Sequence, residues 1–286
     1  MYINFPHLNP VIFSIGPISA HWYGFMYLIS FIFALWYRKK NNINNKLFSK
    51  KEEEILLYYV FLGACIGGRI GYIIFYHFLY FTNHILYIFE IWKGGMSFHG
   101  GLIGAIAVIF YFSLKYQKKF LEISDFIVPL IPFGLGAGRL GNFINGELWG
   151  RIALNIPFAM IFPQSRYEDI KLTKIYPQLQ SLLHKYGSLP RHPSQLYEFF
   201  FEGVILFLII YLFKKKNRPI GSVSGVFLIS YGIFRIIIEF FREPDPQIGL
   251  FYNLITMGQI LSAPMVITGL IIIIKSFHNT RKKRLI

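Results

Sequence analysis

The sequence GRLGNFINGELWG, residues 138–150, combines an arginine, two asparagines, a glutamate and four glycines at the end of an apolar run. That run, Phe126–Phe143, is close to the roughly 20 apolar residues that cross a bilayer as a helix. Ionisable and amide side chains in such a run are costly to place in lipid, so they mark candidates for a functional site. The stretch therefore predicts a membrane helix that carries part of a site.

Similar apolar runs fill most of the chain and predict an all-α polytopic membrane protein with seven transmembrane helices. The fourth run is the least regular, because two prolines interrupt its first half, which neighbouring helices can tolerate. The predicted spans are Ile18–Tyr37, Ile55–Tyr76, Ser97–Tyr116, Phe126–Phe143, Leu196–Phe213, Val223–Phe241 and Ile255–Ile274.

The composition agrees with this class and excludes several others. Of 286 residues, 54% are hydrophobic and 15% are charged, against roughly a quarter charged in soluble domains. The formal charge of +15 alone would suggest nucleic acid, but the basic residues cluster at the ends of apolar runs, so we expect no nucleic-acid partner. Cys65 is the one cysteine, and no histidine pair forms an H-E-x-x-H motif, so we expect neither a metal nor a cofactor.

The basic loops predict the orientation. With seven spans, four basic clusters fall on one side of the membrane, which the positive-inside rule makes cytoplasmic. They contain 18 of the 29 basic residues. The N-terminus is then outside, and the C-terminus is cytoplasmic. The clusters are Arg38, Lys39, Lys40, Lys46, Lys50 and Lys51; Lys115, Lys118 and Lys119; Lys214, Lys215, Lys216 and Arg218; and Lys275, Arg281, Lys282, Lys283 and Arg284.

Two outside segments are long. Residues 78–96 are aromatic, and their middle fits a short helix at the lipid interface. Residues 144–193, of mixed charge, predict a small periplasmic head. We expect a single membrane domain, 1–286, that ends in a basic tail at 275–286. We expect no cleavable signal peptide, because the first 17 residues lack a basic region.

The ionisable residues within or next to the spans all fall in the outer half of the membrane once each span is given its direction. This shared depth indicates one common site. They are Arg69, His99, Arg139, Glu198, Glu202, Arg235 and Glu239.

Each of these residues also has a structural interpretation. Arg235 and Glu239 are i, i+4 on one helix and could serve only to neutralise each other. Arg69 lies among glycines typical of close helix packing. Glu198 and Glu202 show no basic partner in the sequence. His99 has glycines on both sides, which favours a functional role because backbone can approach it closely.

The opening stretch contains a G-x-G-x-x-G pattern at 136–141, but no strand precedes it, so it does not indicate a dinucleotide site. If the helix continues, Arg139, Asn142 and Gly146 share one stripe. An arginine binds phosphate through two parallel hydrogen bonds. Asn142 and Asn145 add uncharged hydrogen bonds, and Glu147 is placed to orient Arg139 or a base.

Five motifs together resemble the bacterial prolipoprotein diacylglyceryl transferase family. The resemblance covers nearly the whole chain in order, and the first motif is specific. The motifs are Gly138–Gly150, His21–Gly24, Gly94–Gly101, Arg191–Glu198 and Arg235–Arg242.

The resemblance implies an inner-membrane enzyme with its site toward the periplasm. Such an enzyme moves diacylglyceryl from phosphatidylglycerol to the lipobox cysteine of a prolipoprotein, forms a thioether and releases glycerol phosphate, as the first step of lipoprotein maturation. Its partners are this lipid, the prolipoprotein and the bilayer. The residues implied as catalytic are Tyr23, His99, Arg139 and Arg235. Those implied to bind substrate are Arg139, Asn142, Asn145, Glu147, Gly150 and Glu239.

That chemistry gives the residues their roles. A thiol must lose its proton to react, and His99 is suited to accept it near neutral pH. His99 could instead bind the glycerol headgroup, with Glu147 or solvent as the base. Arg139 and Arg235 would stabilise the leaving phosphate, and Glu239 would hold Arg235. The reacting sulfur belongs to the substrate, so Cys65 is not the nucleophile.

Three other classes fit less well. A secondary transporter predicts a midplane site and an internal repeat, and the sequence shows neither. A structural or assembly protein would not need two arginines and a histidine at the same depth in the membrane. Another phospholipid transferase would carry a similar arginine pair, and the match over the whole chain decides against it.

Overall fold

The computed structural model describes residues 2–16, 18–40, 47–90, 94–244, 249, 251 and 254–285. Lys46, which belongs to a predicted cytoplasmic cluster, lies outside them.

The described chain is mostly helical. Its α-helices are α1 Trp22–Lys40, α2 Lys50–Tyr76, α3 Phe78–Asn83, α4 Phe98–Lys115, α5 Phe120–Ile127, α6 Ile131–Ile144, α7 Arg166–Ile175, α8 Gln180–Tyr186, α9 Ser194–Glu198, α10 Leu206–Lys214, α11 Ser222–Ile238 and α12 Met257–Leu285. A π-helix, Phe199–Ile205, joins α9 to α10. Short 3-10 helices cover Ile85–Phe89, Val128–Leu130, Pro163–Ser165 and Pro177–Leu179. The strands are β1 Ile3–Asn4, β2 Val11–Ile15, β3 Ile18–His21, β4 Met160–Ile161 and β5 Pro190–Arg191.

Within the described ranges, five helical segments are long and apolar enough to cross a membrane. They confirm the prediction of a helical membrane protein. The segments are Lys50–Tyr76, Phe98–Lys115, Phe120–Ile144, Ser194–Lys214 and Met257–Lys282. The other two predicted spans correspond to α1 and to α11, which is a shorter apolar helix of 17 residues.

Local sequence explains several helix boundaries. Ser49 and Glu52 form a capping box at the start of α2, in which each side chain accepts a hydrogen bond from the other residue's backbone. Ser97 caps α4 by accepting a hydrogen bond from Gly100 N at 3.2 Å. The prolines of the fourth span coincide with the change from α5 to 3-10 helix and then to α6.

The chain divides into two compact units. The first contains residues 1–13, 20–30 and 131–286, and the second contains 14–19 and 31–130. In the second unit α2 packs on α4 through glycines. A Cβ atom on Gly67 would lie 3.0 Å from Gly104 Cα, so the two backbones touch and larger residues would separate them.

The head segment, residues 144–193, belongs to the first unit and has a small core of its own. β4 pairs in parallel with β1 and antiparallel with β5. Phe5, Met160 of β4 and Phe162 form a buried hydrophobic cluster, and Phe143 and Trp149 pack against it. The strands are a local departure from the predicted all-α architecture, and they lie outside the five candidate spans.

The helices of the first unit carry the charged residues. α6 packs against the π-helix, where a Cβ on Gly136 would lie 3.0 Å from Gly203 Cα. The buried faces of α10 and α11 include Leu206, Ile210 and Ile238. These contacts bring Arg139, Glu202 and Arg235 from three different helices into one region.

Candidate active site

Three arginine side chains of the first unit converge on one carboxylate, that of Glu198. Arg139 Nε lies 3.3 Å from Glu198 Oε2. Arg235 Nη1 and Arg242 Nη1 donate to Oε1 at 2.5 and 2.8 Å. Glu198 is fully buried, so these contacts replace the water that a carboxylate would otherwise need.

Glu202 lies one turn further along the same helical segment and is also fully buried. Arg139 donates to its Oε2 through both Nε and Nη2 at 3.4 Å. Its Oε1 lies 3.6 Å from Arg235 Nη1. The sequence-based view that Glu198 and Glu202 lack basic partners is therefore wrong, because the partners lie on other helices.

Glu239 completes the group, which we call the arginine–glutamate cluster: Arg139, Glu198, Glu202, Arg235, Glu239 and Arg242. Arg235 Nη2 lies 2.9 Å from Glu239 Oε2, in the i, i+4 arrangement that the sequence indicated. The arginine side chains of the cluster stay 13–18% exposed, whereas the glutamates are 0–6% exposed. The carboxylates are thus the enclosed part of the cluster, and the arginine side chains are its more exposed part.

Tyr23, at the start of α1, lies beside the cluster. A Cβ on Gly141 would come within 2.8 Å of Tyr23 Cδ2, so the phenol ring packs closely against α6. The Tyr23 hydroxyl is 3.2 Å from that of Tyr27 and contributes to the electrostatic surroundings of Arg139. The structure thus places Tyr23 next to Arg139.

The turn that follows α6 holds the amide and carboxylate side chains of the opening stretch. α6 ends at Ile144, so the helix does not continue to Gly146 and the conditional stripe of Arg139, Asn142 and Gly146 does not form. Gly146 instead adopts a positive φ of 64° in the turn. Glu147 Oε1 accepts hydrogen bonds from Asn142 Nδ2 at 2.9 Å and Asn145 Nδ2 at 3.2 Å. Glu147 thus orients two asparagines, and the carboxylates beside Arg139 are those of Glu198 and Glu202.

Gly150 sits where the head segment meets the chain after α11. Its N–H donates to His192 O at 2.9 Å, and it forms an antiparallel bridge with Arg242. A Cβ here would lie 2.7 Å from His192 O, so only glycine fits. Burial lowers the pKa of His192, because the charged imidazolium loses water.

Arg191 fastens this junction from within the head. It is fully buried and donates to Asp169 Oδ1 at 2.6 and 3.0 Å, to Gly150 O at 3.0 Å and to Glu243 at 2.9 Å. Glu243 directly follows Arg242. The sequence analysis assigned no role to Arg191. Its position within the Arg191–Glu198 motif was the one feature of the sequence that could have indicated a role.

The two remaining ionisable candidates lie in the second unit. His99 is exposed in the first turn of α4, with its ring edge-on to Phe98. Arg69 is 3% exposed and donates to five backbone carbonyls, those of Tyr87, Ile88, Glu90, Gly94 and Gly95. Arg69 therefore fixes the chain that leads into α4 and His99.

The fold and the cluster together define a class: a helical membrane protein with a buried group of ion-paired arginine and glutamate side chains. A family model described as prolipoprotein diacylglyceryl transferase matches residues 10–275. The chain belongs to that family.

Named relatives agree over almost the full length. A phosphatidylglycerol–prolipoprotein diacylglyceryl transferase of Buchnera aphidicola from Acyrthosiphon pisum (strain APS) is 69% identical over 98% of this chain and 100% of its own. Proteins of the same name from Serratia proteamaculans and Erwinia tasmaniensis are 56% and 57% identical, over 99% of this chain and 98% and 97% of theirs.

Proposed function

We propose that this chain transfers the diacylglyceryl group of phosphatidylglycerol to the thiol of a prolipoprotein's lipobox cysteine. A sulfur–carbon bond forms, and the carbon–oxygen bond to the phosphate breaks. The phosphate leaves as glycerol phosphate, and the thiol proton is released. The observation that carries the proposal is the similarity, over the full length, to relatives named for this lipid and this protein substrate.

In this proposal Arg139 and Arg235 bind the lipid phosphate. Both guanidinium groups are already held by buried carboxylates, and both arginine side chains retain some exposure. Charge grows on the phosphate as the carbon–oxygen bond breaks, and cations that are fixed in advance stabilise such charge without reorganising. Glu239 holds Arg235, and Glu198 holds both arginines.

The remaining site residues are assigned to substrate orientation and proton transfer. Tyr23, Asn142, Asn145, Glu147 and Gly150 would shape the substrate region of the first unit. His99 would accept the thiol proton, because an imidazole side chain is suited to general-base catalysis. Glu147 or solvent remains the alternative base.

The proposed topology has seven spans, with α1 and α11 added to the five candidate spans. The N-terminus and the head segment lie in the periplasm, and the C-terminus lies in the cytoplasm, across the bacterial inner membrane. The basic residues at the ends of α1, α4 and α10 support this orientation. The prediction of a single membrane domain belongs to the same proposal.

Thiol dependence tests the reaction. Purified protein in detergent is incubated with phosphatidylglycerol and a lipobox peptide, and released glycerol phosphate is measured. We expect release with the cysteine peptide and none with a serine peptide, because the weakly nucleophilic hydroxyl does not replace the thiolate.

The control variant is Cys65→Ala, which removes the chain's one cysteine. It should keep full activity, since the reacting sulfur belongs to the peptide. Equal release with the serine peptide, or no release with either peptide, would contradict the proposed reaction.

A further inference from the structure

Glu202 is the carboxylate of the arginine–glutamate cluster that the arginines hold least closely. Its nearest guanidinium contacts are 3.4 Å at Oε2 and 3.6 Å at Oε1. Glu198 accepts hydrogen bonds of 2.5 and 2.8 Å, and Glu239 lies 2.9 Å from Arg235. Glu202 Oε1 is buried and has no hydrogen-bond partner in the described part of the chain, as is also true of Glu198 Oε2 and Glu239 Oε2. The longer ion pairs are therefore what distinguishes Glu202 from the other two carboxylates.

The cluster is electrically neutral when all six side chains are ionised. Among the described residues it contains three guanidinium groups and three carboxylates joined by ion pairs of 2.5–3.6 Å. Their opposite charges offset the loss of water on burial. An additional charge bound at the arginine–glutamate cluster would therefore have no counter-ion within the cluster.

A phosphodiester brings one negative charge to this neutral group. It binds at the guanidinium groups and leaves the cluster with a net charge of −1, which burial disfavours. Protonation of one carboxylate restores neutrality. A protonated carboxyl group also donates a hydrogen bond, whereas an ionised one only accepts.

The groups that face Glu202 decide which carboxylate takes this proton. Arg139 of α6, Arg235 of α11 and Arg242 stabilise its charged form, whereas Glu198 of the same helical segment opposes it. The Tyr231 hydroxyl also interacts with Glu202. A phosphate that draws Arg139 and Arg235 toward itself weakens the longest ion pairs first, and these are the pairs of Glu202.

We propose that Glu202 is the proton-carrying carboxylate of the phosphate site, protonated whenever a lipid phosphodiester is bound there. The proposal rests on the proposed function, because that function places phosphate at Arg139 and Arg235. The proton comes from solvent and converts the Glu202 carboxylate to a carboxylic acid, so no bond of the lipid changes. Glu202 is thus a positioning residue that sets the charge of the site.

Binding measured against pH tests this. The probe is dihexanoyl phosphatidylglycerol without any thiol peptide, because its phosphodiester does not titrate between pH 6 and 9.5. Its Kd for the purified wild-type protein in detergent is measured across that range. If lipid binding takes up one proton, the Kd rises by up to about tenfold for each pH unit above the pKa of the Glu202 carboxyl in the lipid-free protein.

The variant Glu202→Gln carries a permanently neutral side chain of the same shape. We expect it to bind the lipid with a Kd that changes less than about twofold from pH 6 to 9.5, and to bind more tightly than wild type at the alkaline end. Glu202→Asp should retain the pH dependence. The matched control Glu168→Gln alters an exposed carboxylate of α7 and should behave as wild type.

The outcomes separate the two proposals. A wild-type protein that binds the lipid with the same Kd at every pH overturns the role of Glu202 and leaves the proposed function standing. A wild-type protein that does not bind the lipid overturns both. If the Kd of Glu202→Gln still depends on pH as the wild-type Kd does, the proton is carried by another group and the role of Glu202 is overturned. The wild-type measurement needs no variant, so misfolding of Glu202→Gln does not prevent the test.

Discussion

Arg139 is held in place before any ligand binds. Its guanidinium contacts Glu198 and Glu202 at 3.3–3.4 Å, and the Tyr23 ring packs against α6 at Gly141. An arginine fixed in this way presents its remaining N–H groups in a set direction, which reduces the entropy lost when it binds an anion. Its position in the opening stretch therefore matters as much as its charge.

Replacing Arg139 tests its assigned contact with phosphate. We expect Arg139→Ala to lower the rate of diacylglyceryl transfer by about 100- to 1,000-fold, which corresponds to the loss of one fixed donor to developing charge at about 2.7–4 kcal/mol. Arg139→Lys should recover part of that loss, because it restores the charge without the paired donors. The measurement is glycerol phosphate release at saturating peptide.

Arg166→Ala serves as the control, because Arg166 is exposed at the start of α7 in the head segment. It should retain wild-type activity. If Arg139→Ala folds and transfers at the wild-type rate, Arg139 does not contact the reacting phosphate.

The sequence identified Arg139 and Arg235 because charge in an apolar run is rare and costly, a property visible without any fold. The Arg235–Glu239 contact was also accessible, since i, i+4 neighbours meet on any helix. The contacts of Glu198 and Glu202 could not be predicted from the sequence, because their partners lie on other helices. Such contacts depend on how helices pack, and the local sequence does not specify it.

At the scale of elements, the cluster depends on the close approach of α6 and the π-helix. A Cβ on Gly203 would lie 2.8 Å from Gly136 Cα, so the two glycines set the spacing between Arg139 and Glu202. In membranes, small residues of this kind allow helices to associate through direct backbone contact.

A single added methyl group tests this spacing. Gly136→Ala should destabilise the protein by about 1–3 kcal/mol, because overpacking forces the two helices apart. The measurement is thermal unfolding in detergent, together with transfer activity. Activity should fall as well, since Arg139 moves away from Glu202.

Gly134→Ala is the matched control on the same helix. A Cβ there would lie 3.7 Å from the nearest atom, Ser30 Cβ, which is an ordinary contact. It should leave stability unchanged or raise it by up to about 1 kcal/mol through the better helix propensity of alanine. Equal effects of the two substitutions would show that helix spacing is not what Gly136 provides.

The sequence predicted some secondary-structure elements and missed others. Apolar runs located the membrane helices, and the prolines of the fourth span coincide with its break into α5 and α6. The π-helix and the turn at Gly146 were not predicted, whereas the fourth span was predicted to end at Phe143, one residue before the end of α6. A π-helix has no sequence signal as clear as apolar length, and the turn at Gly146 depends on packing against Gln164.

At the scale of the molecule, the proposed orientation places the basic ends of α1, α4, α10 and α12 on the cytoplasmic side. Labelling tests it with Arg281→Cys in the Cys65→Ala background. The new thiol should resist a membrane-impermeant maleimide in spheroplasts and react after detergent is added, because the proposed topology places the C-terminal tail in the cytoplasm.

Lys174→Cys in the same background is the companion variant. Lys174 is exposed on α7 of the head segment, so its replacement should label without detergent. If position 281 is labelled in sealed spheroplasts and position 174 is not, the proposed topology is wrong and the opposite orientation is indicated.

The π-helix between α9 and α10 also affects how the chain tolerates changes in its length. Each residue of an α-helix turns the chain by about 100°, and a π-helical turn absorbs one extra residue without that rotation. Deleting a residue within Phe199–Ile205 would remove the extra residue that the π-helix accommodates. A change in length elsewhere in the span would rotate the side chains beyond it by about 100° per residue. Relatives that differ in length are therefore expected to differ in their loops, while this span keeps its number of residues.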